Sequence, residues 1–241
     1  MGIEMRWTLV TGAAKGLGAE ICRQLARQKL AVAIHYRASQ KEAEEIAMDC
    51  RNQGSVAEII QGDFSTLEST LSFANACIEK FKNIENLVNN VGNYAIGSAS
   101  ATSLVIWQQL YQTNFHAPLA LIQKLLPSLK ETAGGIVNIG TVGVDDVRAD
   151  TYSTAYRSSK LSLWMLTKSL AKELAPYHIH VNMVSPGYLE NSIDLPKEMQ
   201  QLPMGRTAAL SEVAALVCYL LSPAGKYITG QNIEVAGGVK L

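Results

Sequence analysis

No run of 18 apolar residues occurs in this chain of 241 residues, and its first ten, MGIEMRWTLV, hold no long hydrophobic stretch. Neither a membrane span nor a secretory signal is therefore expected. Cysteine is scarce: Cys22, Cys50, Cys77 and Cys218 are too few for a disulfide scaffold and too far apart for a CxxC metal or redox pair. That predicts reduced, mostly buried thiols and a cytoplasmic setting. An excess of one charge is missing as well, since 21 Lys+Arg balance 21 Asp+Glu. Without a basic surplus no nucleic-acid binding is expected, although a small local anion site stays open. No Ser/Pro/Gly linker, repeat or low-complexity segment divides the chain. Residues 1–241 read as one domain with a full core.

What is present is an alternation of short β-branched runs with longer helical patterns. Strands are expected at Trp7 to Thr11, Ala31 to Tyr36, Ala57 to Gln61, Asn86 to Asn89, Gly135 to Ile139, His178 to Val184 and Asn232 to Val235. Between them the spacing predicts helices at Gly18 to Gln28, Gln40 to Asn52, Leu67 to Phe81, Leu104 to Leu126, Thr154 to Ala175 (stopped by Pro176) and Leu210 to Leu221. This order predicts an α/β fold, doubly wound, with a parallel sheet of about seven strands covered by helices on both faces.

Thr11-Gly12-Ala13-Ala14-Lys15-Gly16-Leu17-Gly18 falls between the first strand and first helix. Glycines there let the backbone turn sharply and approach a pyrophosphate, while the helix N-terminus offers free N–H groups and a positive dipole. The spacing is GxxxGxG instead of GxGxxG, and a glycine turn without a ligand is the bland alternative. Its strand–loop–helix setting favours a nucleotide on a Rossmann-type unit. An NAD site usually places an acid at the end of the second strand. Here that strand ends His35-Tyr36-Arg37, with no acid before Glu42. Arg37 can fork onto a 2′-phosphate, and Lys15 can reach the same group, so NADP(H) is the expected cofactor.

With these residues in view, the whole chain resembles the short-chain dehydrogenase/reductase family. Besides TGAAKGLG, Asn89-Asn90-Val91-Gly92 is similar to that family's NNAG, Tyr156-Arg157-Ser158-Ser159-Lys160 to its YxxxK, and Ser185-Pro186-Gly187 to its SPG turn. Pro203-Met204-Gly205-Arg206 and Tyr227-Ile228-Thr229-Gly230-Gln231 resemble segments of its 3-oxoacyl-carrier-protein reductase branch. The resemblance implies that Gly12, Ala14, Lys15, Gly16, Leu17 and Gly18 cradle the cofactor. It implies too that Asp63, with Phe64 beside it, meets the adenine edge, and that Asn90, Val91 and Gly92 line the adenosine ribose. Ile139 and Lys160 would hold the nicotinamide ribose, and Pro186, Gly187 and Leu189 would surround the nicotinamide.

Tyr156 and Lys160 stand four apart on a predicted helix and share a face. A phenol near pKa 10 is a poor base, and a nearby ammonium would favour its ionised form. The pair could then give a proton to a carbonyl oxygen or take one away. A surface Tyr–Lys pair is the alternative. Pro118 has no N–H to give the carbonyl of Asn114, so a kink is expected there. In the family the matching Asn holds a water linked to the catalytic lysine. An ordinary helix boundary near Ala117 is the other reading. Where the family has serine after the fifth strand, this chain has Thr141, which keeps the hydroxyl. Ser153 and Thr154 are alternative hydroxyls.

His35, His116, His178 and His180 lack metal spacing and read as structural, and no metal is expected. Asp145, Asp146 and Asp150 read as a solvated loop. Trp164, Met165, Leu166 and Leu170 make the Tyr156 helix apolar on more than one side. Pairing of this helix and the Asn114 helix in a homodimer or homotetramer is expected, with burial inside the monomer as the alternative. The resulting expectation is an NADPH-dependent reductase of a ketone, with Tyr156, Lys160, Asn114 and Thr141 as its catalytic set. The substrate is a small carbonyl compound, with an acyl thioester on a carrier protein as one candidate. A cofactor-sensing protein without turnover, or a structural module, are the alternatives from other classes.

Overall fold

The computed structural model describes residues 5–239. The first four residues of the N-terminal segment read above lie outside them. Seven strands are present: β1 (Trp7–Val10), β2 (Ala31–Tyr36), β3 (Ala57–Gln61), β4 (Ile84–Asn89), β5 (Gly135–Ile139), β6 (His180–Pro186) and β7 (Asn232–Val235). All pair in parallel, in the order β3-β2-β1-β4-β5-β6-β7. The helices are α1 (Gly16–Arg27), α2 (Gln40–Asn52), α3 (Leu67–Phe81), α4 (Leu104–Tyr111), α5 (Ala117–Thr132), α6 (Thr154–Leu174) and α7 (Leu210–Leu221).

Neighbouring residues of the strands face opposite sides, as a pleated strand requires. Val10, Ile34 and Val137 meet Ile21 and Leu25 of α1 and Val217 of α7. Leu9, Leu87 and Ile136 meet Phe73 of α3, Leu121 and Leu125 of α5 and Leu174 of α6. Every residue of β1, β2, β5 and β6 is buried, so these strands have no solvent face, and polar side chains within them such as Asn138 and Asn182 are hydrogen-bonded inside.

Two departures from the predicted boundaries have local causes. The long helix expected from Leu104 is broken by a π-helical segment, Gln112–His116, before α5 resumes and runs on to Thr132. Pro118 sits in the first turn of α5, where its missing N–H costs least. β6 begins two residues late because His178 takes a left-handed φ of 59° after the 3-10 turn Ala175–Tyr177. α1 begins two residues early, at Gly16.

A buried polar chain fixes α6 on the sheet. Asn89 Nδ2 donates to Asn138 Oδ1 (2.8 Å), and Asn138 Nδ2 donates to Thr167 Oγ1 (2.9 Å). Slipping α6 along β4 and β5 would strand these groups without water, at about 1–3 kcal/mol each. The winding reverses between β1, beside β2, and β4 on its other flank. In open parallel sheets the crevice beyond the strand ends at such a point is where ligands bind.

Among the described residues no helix is long and apolar enough to cross a membrane, and no group of three His, Cys, Asp or Glu side chains is placed to hold a metal ion. All four cysteines are free and buried.

Candidate active site

The glycine loop closes over the end of β1 with little room to spare. Gly12 has φ +63°, and a Cβ on it would lie 2.9 Å from Val91 Cγ2. On Gly18 a Cβ would lie 2.5 Å from the Gly12 carbonyl oxygen, so only glycine lets α1 start against the turn. The Asn90 side chain donates to the carbonyls of Thr11 (2.9 Å) and Gly12 (3.1 Å), tying the end of β4 to the loop. Thr11 Oγ1 accepts from the N–H groups of Asn90 and Val91. Gly16 meets a different neighbour: its Cβ would lie 2.9 Å from Asn191 Nδ2, in the segment after β6.

His35 is the strut behind this loop. The Gly12 N–H donates to its Nδ1 (2.9 Å), its Nε2 faces the Gly62 carbonyl at 3.2 Å, and its ring stacks on Phe64 with centroids 4.5 Å apart. Burial lowers its pKa to about 4, so at neutral pH the imidazole accepts at Nδ1 and donates from Nε2. The role is structural, as the sequence reading had it, but it acts on the cofactor loop itself. No spacing rule signals a histidine in that role.

A cavity of about 320 Å³ opens beside the loop and gathers Gly12, Arg37, Asp63, Phe64, Asn90, Val91 and Gly92 from the predicted set. Asp63 accepts from the Ser65 N–H (2.9 Å) and hydroxyl (3.0 Å). Those bonds, helped by nearby Arg37, lower its pKa. Lys15 is not in this lining; its Nζ lies 2.6 Å from the Glu42 carboxylate in an exposed ion pair, a weak kind of contact. Arg37 is the cation that lines the cavity.

A second cavity, about 600 Å³, continues from Asn90 and Leu17 over the ends of β5 and β6. Ile139, Thr141, Tyr156, Pro186, Gly187 and Leu189 all line it. Thr141 and Tyr156 face the same cavity, and the nearby Thr141 side chain works to lower the Tyr156 pKa. Lys160 is buried, and its Nζ donates to the Ile139 carbonyl at 2.7 Å. Enclosure raises the Tyr156 pKa, the Thr141 side chain opposes this only in part, and the Asp194 charge adds to the rise. The ammonium is 6.0 Å from the centre of the Tyr156 ring and is itself lowered by burial to about 8. Burial thus favours the neutral phenol of Tyr156, the form with a proton to give.

Asn114 lies within the π-helical segment, fully buried. Its Oδ1 accepts from the Asn93 N–H (2.8 Å), and its Nδ2 donates to the Asn93 carbonyl (3.0 Å) and Ser159 Oγ (2.9 Å). A Cβ on Gly92 would lie 3.3 Å from Lys160 Nζ and 3.5 Å from Asn114 Oδ1, so Gly92 keeps open the point where both side chains meet. The sequence reading placed this residue's role in its main chain and missed the side-chain bridge.

Residues 12–240 match a family model described as Enoyl-(Acyl carrier protein) reductase. The chain belongs to the short-chain dehydrogenase/reductase family. It is 31% identical over 239 residues to the 3-oxoacyl-[acyl-carrier-protein] reductase FabG of Staphylococcus aureus, with 96% of each chain covered. A blue fluorescent protein from a metagenomic library, solved in complex with NADPH, superposes with a TM-score of 0.91 at 26% identity, covering 100% of both chains. A short-chain dehydrogenase from Burkholderia cenocepacia J2315 in complex with NADP superposes with a TM-score of 0.88 at 29% identity over 96% of both chains.

The loop after β5 is held by residues that the motifs do not reveal. Arg157 Nη2 donates to the carbonyls of Gly143 and Asp146, and the Gly143 N–H donates to the Glu234 carboxylate. Asp150 accepts from the N–H groups of Tyr152 and Ser153 at the start of α6. Thr154 Oγ1 donates to the Asp150 carbonyl at 2.6 Å, which commits that alternative hydroxyl elsewhere.

Proposed function

We propose that this protein is an NADPH-dependent reductase that converts a ketone into a secondary alcohol. The observation that carries the reading is the placement of Tyr156 and Thr141 on the wall of one cavity that reaches the glycine-loop residue Leu17. The residues fit a phosphorylated dinucleotide: Gly12 and Gly18 leave the backbone bare, and Arg37 and Asp63 flank the first cavity. When bound, the reduced nicotinamide supplies the hydride for the carbonyl carbon. Tyr156, held protonated, releases its proton to the carbonyl oxygen. Thr141 donates a hydrogen bond to that oxygen as charge develops on it. Lys160, fixed by the Ile139 carbonyl, lies ready to hold the nicotinamide ribose, and Asn114 braces the lysine's surroundings.

A 3-oxoacyl thioester is the leading substrate class, supported by similarity along 96% of the Staphylococcus aureus relative. Another small ketone is the second reading, favoured by the distinct Thr141. The complete set of Tyr156, Lys160, Asn114 and Thr141 argues against a cofactor sensor without turnover. Leu104 and Val105 on α4 and Met165 on α6 are strongly exposed, which supports pairing of these helices in a homodimer or homotetramer. We assign the protein to the cytoplasm, where free thiols persist. The test is NADPH oxidation, followed spectroscopically, with acetoacetyl thioesters and a mixed carbonyl panel. Oxidation driven by a ketone supports the reading; NADPH binding with no oxidation across the panel contradicts it.

A further inference from the structure

The second cavity is unusual in the charges that face it. Its apolar wall includes Leu17, Ile139 and Val142, yet two carboxylates, Asp150 and Asp194, line it too. Asp150 is anchored, since its Oδ1 accepts from the Tyr152 (2.9 Å) and Ser153 (2.7 Å) N–H groups. Asp194 is different. Its Oδ2 accepts from the Tyr94 hydroxyl at 2.8 Å, and among the described residues no cation is paired with it. The one cation lining the cavity is Arg157, whose Nη2 is committed to the carbonyls of Gly143 and Asp146.

Tyr94 also sets where that charge sits. Its ring meets the Tyr156 ring edge-on, with centroids 4.8 Å apart and planes at 85°. Tyr94 comes from the loop after β4, and Asp194 from the segment between β6 and α7. One hydrogen bond thus joins the two sides of the cleft through a tyrosine packed against the Tyr156 ring.

We propose that Asp194, oriented by Tyr94, is a specificity-determining residue that admits ketones uncharged around the reacting carbonyl and turns away those carrying a carboxylate there. The inference rests on the reductase reading and deepens it. An anion bonded next to a carbonyl at Tyr156 enters a partly enclosed space facing Asp194, where like charges repel more strongly than in water, while the nearby cations are held on main-chain oxygens, Arg157 at the loop after β5 and Lys160 at Ile139. An ester or thioester of the same acid carries no such charge. The site is therefore suited to 3-oxo esters and thioesters and to plain ketones, and not to free 3-oxo acids.

The test compares ethyl acetoacetate with acetoacetate, the same ketone with and without the charge. NADPH-dependent kcat/KM and calorimetric binding to the NADP-loaded protein are measured for the wild type and for Asp194→Asn. The wild type is expected to favour the ester at least tenfold in both measurements, and Asp194→Asn to shrink that preference at least tenfold by admitting the acid. Tyr94→Phe, which frees the carboxylate from its hydroxyl, should weaken the preference less than Asp194→Asn. Equal use of both ligands by the wild type, or a preference unchanged in Asp194→Asn, overturns the inference while leaving the reductase reading standing. Selective binding without turnover upholds the inference and overturns that reading. Binding of neither ligand overturns the inference.

Discussion

Lys160 Nζ lies 2.7 Å from the main-chain oxygen of Ile139 and 6.0 Å from the centre of the Tyr156 ring. The lysine is therefore bound first to the end of β5, and the tyrosine is a neighbour instead of its hydrogen-bond partner.

That placement makes the lysine a measurable cost to the fold. Burial lowers its pKa to about 8, against about 10.4 in an unfolded chain. Below pH 8 both states hold the proton and the penalty for burying the ammonium is fully present. Between about pH 8 and 10.4 the folded state gives up the proton while the unfolded state keeps it, so this contribution makes stability rise with pH. Thermal unfolding of wild type minus Lys160→Met, measured from pH 7 to 10, should show a difference that moves in favour of the wild type above pH 8. A difference flat across that range would contradict the assignment.

Thr141 should tolerate serine and not valine. Thr141→Ser keeps the hydroxyl beside Tyr156 and is expected to retain kcat within several-fold. Thr141→Val removes the donor to the developing oxyanion at nearly constant volume, a loss of about 100–1,000-fold in kcat for groups of this kind. Steady-state kinetics on any accepted ketone separates the two.

Arg37 should decide between phosphorylated and unphosphorylated cofactor, because it is the cation that lines the first cavity. Arg37→Asp is expected to lower the preference for NADPH over NADH by at least tenfold, through lost charge-assisted bonds and new repulsion. The ratio of the two dissociation constants, read by fluorescence titration, checks it.

The exposed apolar face of α4 and α6 should vanish into an interface in solution. The double substitution Val105→Glu with Met165→Glu places charge at two exposed positions, 60% and 67% accessible in the single chain. Sedimentation velocity should show an oligomer for the wild type and a monomer for this variant, with unchanged circular dichroism.

Much of this molecule was legible in its residues. The strand–helix order follows from β-branched runs between amphipathic ones, and bounds such as Gly135–Ile139 and Leu210–Leu221 agree to the residue. Gly12 was legible because a sharp turn against Val91 leaves no room for a Cβ. Pro118 announced an interruption, but its form, a π-helical segment holding Asn114, depends on packing against Asn93 and Ser159. A four-residue spacing shows that Tyr156 and Lys160 share a face but not how much water reaches either, so the burial that raises the Tyr156 pKa was not legible. His35, Tyr94 and Asp194 act through partners 23–100 positions away, which no local pattern encodes.

The central claim is that Tyr156 delivers the proton, and replacing it by phenylalanine tests that directly. NADPH affinity of Tyr156→Phe, by fluorescence titration, is expected within about threefold of wild type, while ketone-dependent NADPH oxidation falls by at least 1,000-fold, consistent with loss of general-acid catalysis. Turnover retained in Tyr156→Phe, with intact cofactor binding, would contradict the account.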